Sequence, residues 1–264
     1  MELMVQGESV HAHTGGRPFD PAGPVVVLIH GAGFDHTVWA MQSRRLAGRG
    51  CAVLAVDLPG HGGSGGAPVS GIDALADWTA ALLDAAGVER AFLAGHSMGA
   101  LVALEAAARR PDRAAGVALL GAAERMPVHP DLLAAALADD PLAGDLVAGW
   151  GSGPRAMVGG GPVPGLALLP LARRLLARAR PGVLGVDLAA CNAYAGGAAA
   201  AAALTCPALL LLGALDRMTP PKAGRALAAQ VRDSDVLVLP DTGHMLMLES
   251  PEPVAAALAT FVTG

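Results

Sequence analysis

"FLAGHSMGALVALEAAARR" (residues 92–110) decides how this chain is read. An apolar run ends at Gly95, and an alanine-rich amphipathic run begins at once, with no loop between them. Ser97 stands between Gly95 and Gly99 at the join. A buried strand needs no glycines at its end, and a helix start needs only one cap. The spacing therefore asks for a turn so sharp that flanking side chains would collide. Such a turn strains the serine backbone and points its hydroxyl clear of the sheet. The amides that follow sit at a helix N-terminus, where partial positive charge favours an anion.

Outward from this point, short apolar runs alternate with helical patterns. "PVVVLIH" (24–30), "CAVLAVD" (51–57), "AFLAG" (91–95), "GVALLG" (116–121), "ALLLLG" (208–213) and "DVLVLP" (235–240) read as strands. They are continuous rather than alternating, as strands covered on both faces should be. The helical patterns between them imply an α/β protein: a mostly parallel central sheet with helices on both faces. "LMVQG" and "SVHAHTGG" near the N-terminus alternate instead and predict an edge hairpin. From residue 122 to 204 no strand is evident, only helix-like pieces broken by glycine and proline. That length is too great for a simple loop. The chain is thus divided into a core, 1–121 and 205–264, and an inserted helical cap, 122–204.

With 264 residues, 53% hydrophobic and 16% charged, a sizeable core is expected and compositional disorder is not. A net charge of −5 without a basic cluster argues against nucleic acid. No window approaches the apolar length of a membrane span, and the N-terminus has no signal-like core, so a cytoplasmic protein is expected. Cys51, Cys191 and Cys206 lie scattered among apolar neighbours and form no metal-binding pattern.

A second G-x-S-x-G, "GGSGG" (62–66), surrounds Ser64. It lies several residues past its strand, and no helix starts there. The overlapping G-x-G-x-x-G has no helix to receive a pyrophosphate, so a dinucleotide site is not expected. A serine hydroxyl needs a base to take its proton. His244, in "LPDTGHMLMLESPEP", follows the last strand and precedes the last helix. The imidazole needs a carboxylate to set its tautomer. Asp216, in "LLLLGALDRMTP", follows the preceding strand at the same edge. Ligands in α/β sheets bind beyond the carboxyl ends of the strands, where all three residues lie.

Together "LIHGAGFDHTVW", "VDLPGHGGSG", "GHSMGALVALEAA", "LLLLGALDRMTP" and "LPDTGHMLMLESP" resemble the α/β-hydrolase superfamily, over nearly the whole chain except the cap. The order Ser97, Asp216, His244 matches the triad of that fold. The resemblance implies that the backbone amides of Ala32 and Met98 form an oxyanion hole. The cap resembles the small lids of esterases, lactonases and cofactor-free haloperoxidase-like members. The resemblance implies a serine hydrolase of a small, mostly apolar ester, thioester or lactone, with no metal and no organic cofactor. The rival readings are perhydrolysis or carbon–carbon hydrolysis on the same triad, and a binding protein on the hydrolase fold. Members acting on haloalkanes or epoxides usually carry an aspartate where this chain has Ser97.

Candidate pocket residues are Trp39, Trp150, Met157, Met218 and Met245, which would make an apolar, adaptable wall. His30 reads as structural, holding the loop of Ala32, and His96 as a packing residue that points away from Ser97 across the turn. Glu249 reads as a charge complementing a helix dipole. His11, His13 and His129 show no constellation, and the cap arginines read as a solvated face.

Overall fold

The structure is a computed structural model that describes residues 1–162 and 165–264. The hairpin β1 (Glu2–Val5) and β2 (Glu8–His13) opens the chain. Then come β3 (Val25–Ile29), α1 (Ala40–Gly48), β4 (Ala52–Val56), α2 (Ile72–Ala85), β5 (Ala91–His96), α3 (Met98–Arg109) and β6 (Ala114–Leu120). Among the described residues, six helices follow: α4 (Pro130–Leu137), α5 (Leu142–Gly151), α6 (Pro154–Met157), α7 (Leu168–Leu176), α8 (Val183–Ala193) and α9 (Gly197–Ala203). The chain then returns through β7 (Ala208–Gly213), α10 (Pro221–Ala228), β8 (Ser234–Leu239), α11 (Leu246–Glu249) and α12 (Pro251–Thr263).

One eight-stranded sheet runs β1-β2-β4-β3-β5-β6-β7-β8. The hairpin is antiparallel, to itself and to β4, and every other pairing is parallel. The expected edge hairpin and mostly parallel sheet are both present. β3, β4 and β7 are buried at every position, as their unbroken apolar runs require. β8 differs: its exposure alternates, and Leu237 is 40% exposed. It is an edge strand, so its outer face lacks the cover that a central strand has.

α1 packs with α12, and α2 with α3, beside the sheet. No strand lies between β6 and β7 among the described residues. α4, α5, α7 and α8 pack on one another, whereas α9 lies against α3 and α10. The alanine run of α9 suits that place, since small side chains let helices approach closely. Gly197 is tight enough that a Cβ there would stand 2.2 Å from the Glu124 carbonyl oxygen. No single described helix is long and apolar enough to cross a membrane; α8 and α9 reach that length only together and meet at 70°.

Candidate active site

The turn after β5 has the strain that its glycines foretell. Ser97 sits at φ +52° and ψ −117°, between strand and helix without a loop. A Cβ on Gly95 would stand 2.0 Å from the Gly99 carbonyl oxygen, and one on Gly99 would stand 2.3 Å from the Ile29 carbonyl oxygen. Two chain segments cross there at backbone contact, so only glycine fits. Ser97 N–H donates to the Leu120 carbonyl of β6 (2.9 Å), which pins the turn to the next strand.

His244 lies on the loop after β8, and Asp216 lies after β7. His244 Nδ1 is 2.8 Å from Asp216 Oδ2, with both side chains buried. Asp216 Oδ1 accepts the backbone N–H groups of Met218 and Thr219. The Thr219 hydroxyl donates to Oδ2 at 2.7 Å. Burial pushes the Asp216 pKa up, but the imidazole and these donors outweigh it, and the carboxyl stays below its usual range. A carboxylate that accepts from Nδ1 leaves Nε2 as the free lone pair. His244 Nε2 is buried with no protein partner among the described residues.

Three groups brace the backbone around His244. His96 Nε2 donates to the His244 carbonyl at 2.8 Å, so its role exceeds packing. Glu249 is no simple dipole charge. Its carboxylate accepts N–H groups from Gly153, Gly243 and Met245, bracketing His244 in the chain. Burial nonetheless raises its pKa above the usual value. Finally, the His244 N–H donates to the Gly151 carbonyl at the end of α5, so the helical segment between β6 and β7 touches the histidine loop directly.

The loop after β3 brings Ala32 to the same place. A Cβ on Gly31 would stand 3.3 Å from Ser97 Cβ. His30 holds this loop: Nδ1 donates to the Gly31 carbonyl, and Nε2 accepts from Leu58 N–H. Burial drives its pKa down to about 4, which keeps the ring neutral as that pattern requires. Among the described residues, no acceptor lies within hydrogen-bond reach of the Ala32 or Met98 amides.

A cavity of about 290 Å³ opens over Ser97 and His244. Its floor includes Ala32, Arg217, Met218 and Thr219 from the sheet-edge loops. Its other walls come from the segment between β6 and β7: Met126, Val128, His129, Leu132, Trp150, Leu188 and Cys191 among them. Of the five pocket expectations, Trp150 and Met218 line this cavity. Trp39 does not: it is fully buried on the turn His36–Trp39. Met245 is 2% exposed within the core and lies outside the lining. Met157 is 49% exposed on α6, turned to solvent. His129, without a constellation in the sequence, lines the cavity with its ring 5.4 Å from that of Trp150.

The second pentapeptide is elsewhere. Ser64 is fully buried, and its hydroxyl donates to the Asp57 carbonyl while accepting from His11 N–H. His11, His13 and His36 also meet near it, which the sequence does not suggest. His11, His36 and Asp57 present ligand-type atoms within 4.8 Å of one another. Asp57 is already committed, however. Its Oδ1 accepts from the ring and backbone of His36, and its Oδ2 accepts from Gly63 N–H. It serves as a loop brace rather than a free donor.

An eight-stranded sheet of this order, with a strained serine turn after β5, has the α/β-hydrolase fold. The profile of the alpha/beta hydrolase family matches residues 26–257, and the chain belongs to that family of enzymes. Among curated proteins it is 34% identical to the pimeloyl-[acyl-carrier protein] methyl ester esterase of Chromobacterium violaceum, over 90% of this chain and 93% of that one. Among solved structures it superposes on the enol-lactonase of Burkholderia xenovorans LB400 with a TM-score of 0.87, 24% identity and 100% of both chains covered. A thermophilic esterase of Thermogutta terrifontis gives 0.86 and 24%, over 100% of this chain and 97% of that one.

Proposed function

We propose that this chain is a serine hydrolase that cleaves a small, mostly apolar carboxylic ester, thioester or lactone through an acyl-enzyme. The observation that carries the reading is the His244 imidazole. Asp216 holds its Nδ1 at 2.8 Å, and its free Nε2 shares one apolar cavity with Ser97. Ser97 Oγ attacks the carbonyl carbon, and His244 Nε2 takes the serine proton. The carbonyl oxygen, now negative, receives the N–H groups of Ala32 and Met98. As the tetrahedral centre collapses, His244 returns the proton to the leaving oxygen or sulfur. A water then repeats the sequence on the acyl-enzyme and frees Ser97 with a carboxylic acid.

The insert acts as the cap, with 1–121 and 205–264 as core. α4, α5 and α8 supply the apolar wall, and α9 serves the core layer on which it packs. A relative named as a methyl ester esterase, at 34% identity over most of both chains, favours ester cleavage over the other reactions of the same triad. The three cysteines are free and buried, as suits a reducing compartment.

A fluorophosphonate probe tests the reading. It should label the protein at Ser97 and fail to label Ser97→Ala, and a panel of short-chain esters should give acid plus alcohol. Labelling that persists in Ser97→Ala, or a panel without turnover, would refute it.

A further inference from the structure

The insert also reaches the loop that carries the Ala32 amide. Gly33 adopts a left-handed backbone, φ +70°, and its N–H donates to Asp187 Oδ2 at 2.8 Å. Asp187 belongs to α8, 154 residues away. The same oxygen is 2.8 Å from His61 Nε2, and His61 Nδ1 is 2.9 Å from the Pro59 carbonyl. A carbonyl only accepts, so Nδ1 carries a proton; a carboxylate also only accepts, so Nε2 carries one too. His61 is therefore an imidazolium paired with a carboxylate, and both are buried, at 3% and 1% exposure. Burial acts to lower the His61 pKa, yet Asp187 overcomes it and the net shift is upward.

A buried ion pair is expensive to assemble, and apolar packing of the same volume often does as well for stability. What this pair adds is placement. Asp187 Oδ1 has no partner among the described residues, so the carboxylate's hydrogen bonds go only to Gly33 and His61. The loop has no slack around it: a Cβ on Gly33 would stand 2.9 Å from a Leu184 methyl on α8 and 3.1 Å from a Leu176 methyl on α7. Leu188, the next residue after Asp187, lines the cavity.

We infer that Asp187 is a positioning residue for the oxyanion loop, clamping α8 of the cap to Gly33 and His61 so that the neighbouring Ala32 amide is aimed at the developing oxyanion. The inference rests on the serine-hydrolase reading. It makes the cap part of the catalytic frame as well as a wall. An oxyanion donor acts only when aimed at the transition-state oxygen, so a loosened loop loses rate before it loses substrate binding.

Asp187→Asn tests this at constant shape. A carboxamide presents either an oxygen or an NH2 at the Oδ2 position; with His61 neutral and its one N–H kept on the Pro59 carbonyl, the oxygen serves only Gly33 and the NH2 serves only His61. The variant is checked for folding by thermal melting, then measured with an ester and with a trifluoromethyl ketone, which Ser97 would convert to a hemiketal oxyanion. We expect kcat to fall about 10- to 100-fold with KM nearly unchanged, and ketone affinity to fall by a similar factor. Normal kcat, or a fall in kcat without loss of ketone affinity, overturns the clamp. Should Asp187→Asn not fold, His61→Gln removes the positive partner. It should lower kcat and ketone affinity together, and normal values for both overturn the proposal. Wild-type turnover and fluorophosphonate labelling are measured alongside. An inert, unlabelled wild type overturns the serine-hydrolase reading and the clamp with it, whereas an active wild type beside a normal variant overturns the clamp alone.

Discussion

The chain writes G-x-S-x-G twice and uses it in opposite ways. At 95–99 the serine is held at φ +52° between β5 and α3, with its side chain on the cavity wall. At 62–66 the serine is fully buried, and its hydroxyl is spent between the Asp57 carbonyl and His11 N–H. The second loop supports the insert instead. Arg180 donates to its Gly62 and Ser64 carbonyls, and the adjacent His61 pairs with Asp187. A pattern of five letters therefore carries no role of its own. The role comes from whether a strand ends and a helix begins on either side of it.

The sharpest way to break that contrast is to delete each hydroxyl. Ser97→Ala should cost roughly 10⁶-fold in turnover, the scale seen for nucleophile removal in serine enzymes. Ser64→Ala should keep its kcat and lose about 1–3 kcal/mol of stability, because the His11 N–H loses its buried acceptor. Ester assays paired with chemical denaturation decide. An inactive Ser64 variant beside an active Ser97 variant would reverse the assignment. Next in size is Asp216→Asn. The shape is kept, but the amide no longer enforces the Nδ1–H tautomer of His244, and a loss on the order of 10⁴ in kcat is expected. A folded variant with near-normal turnover would mean that another group orients the imidazole.

The glycines of the two loops should separate as well. Gly95→Ala meets the Gly99 carbonyl oxygen at 2.0 Å, which is backbone and cannot step aside. We expect about 4 kcal/mol or more of destabilisation, or no folded protein. Gly65→Ala meets the flexible Glu8 carboxylate at 3.2 Å and should change stability by less than about 1 kcal/mol. Equal melting temperatures would show that the crossing at Gly95 has room for a methyl group. Smaller still is the effect of the insert on substrate choice. Trp150→Ala, on the cavity wall, should shift preference among acyl chain lengths by about tenfold, the scale of a methylene or two in an apolar pocket. Met157→Ala, exposed on α6, should leave the same profile unchanged.

What could be read from the chain alone was local. Each strand, the turn at Ser97, and the placement of Asp216 and His244 at strand ends follow from runs a few residues long, because period and glycine spacing are local properties. What could not be read was direction and distance. Met245 neighbours His244 in sequence but points into the core, since successive residues of a tight loop diverge. Trp39 is sealed beneath the turn that carries it. Glu249 bonds to Gly153 across 96 residues, and Asp187 to His61 across 126, and no spacing rule links such pairs. The cavity wall is illegible for the same reason: helices of an insert show which face is apolar but not what that face covers.

The contrast in pH dependence is the most discriminating, because the histidines beside the two pentapeptides titrate in opposite senses. His96, inside the first, is buried against His244, and desolvation drives its pKa down to about 3. His61, just before the second, is held above its ordinary value despite burial, by Asp187. In the unfolded chain both titrate near 6.5. For His96 the unfolded state binds the proton more readily. Its contribution to stability is complete above about pH 6.5 and drains away as pH falls toward 3, approaching about 1.4 kcal/mol per pH unit. For His61 the folded state binds the proton more readily. Its contribution is complete below about pH 6.5 and is lost as pH rises through the raised folded value. His30, also driven down to about 4, adds to the acid limb, and Asp57 and Asp187 face His61 on the alkaline one. Denaturation followed from pH 4 to 9 should therefore show stability falling on both sides of neutrality. His96→Gln should flatten the acid limb and leave the alkaline limb in place, and His61→Gln should do the reverse. If both variants flatten the same limb, then one of the two rings is protonated otherwise than its hydrogen bonds require, and the imidazolium beside Asp187 is the first assignment to give up.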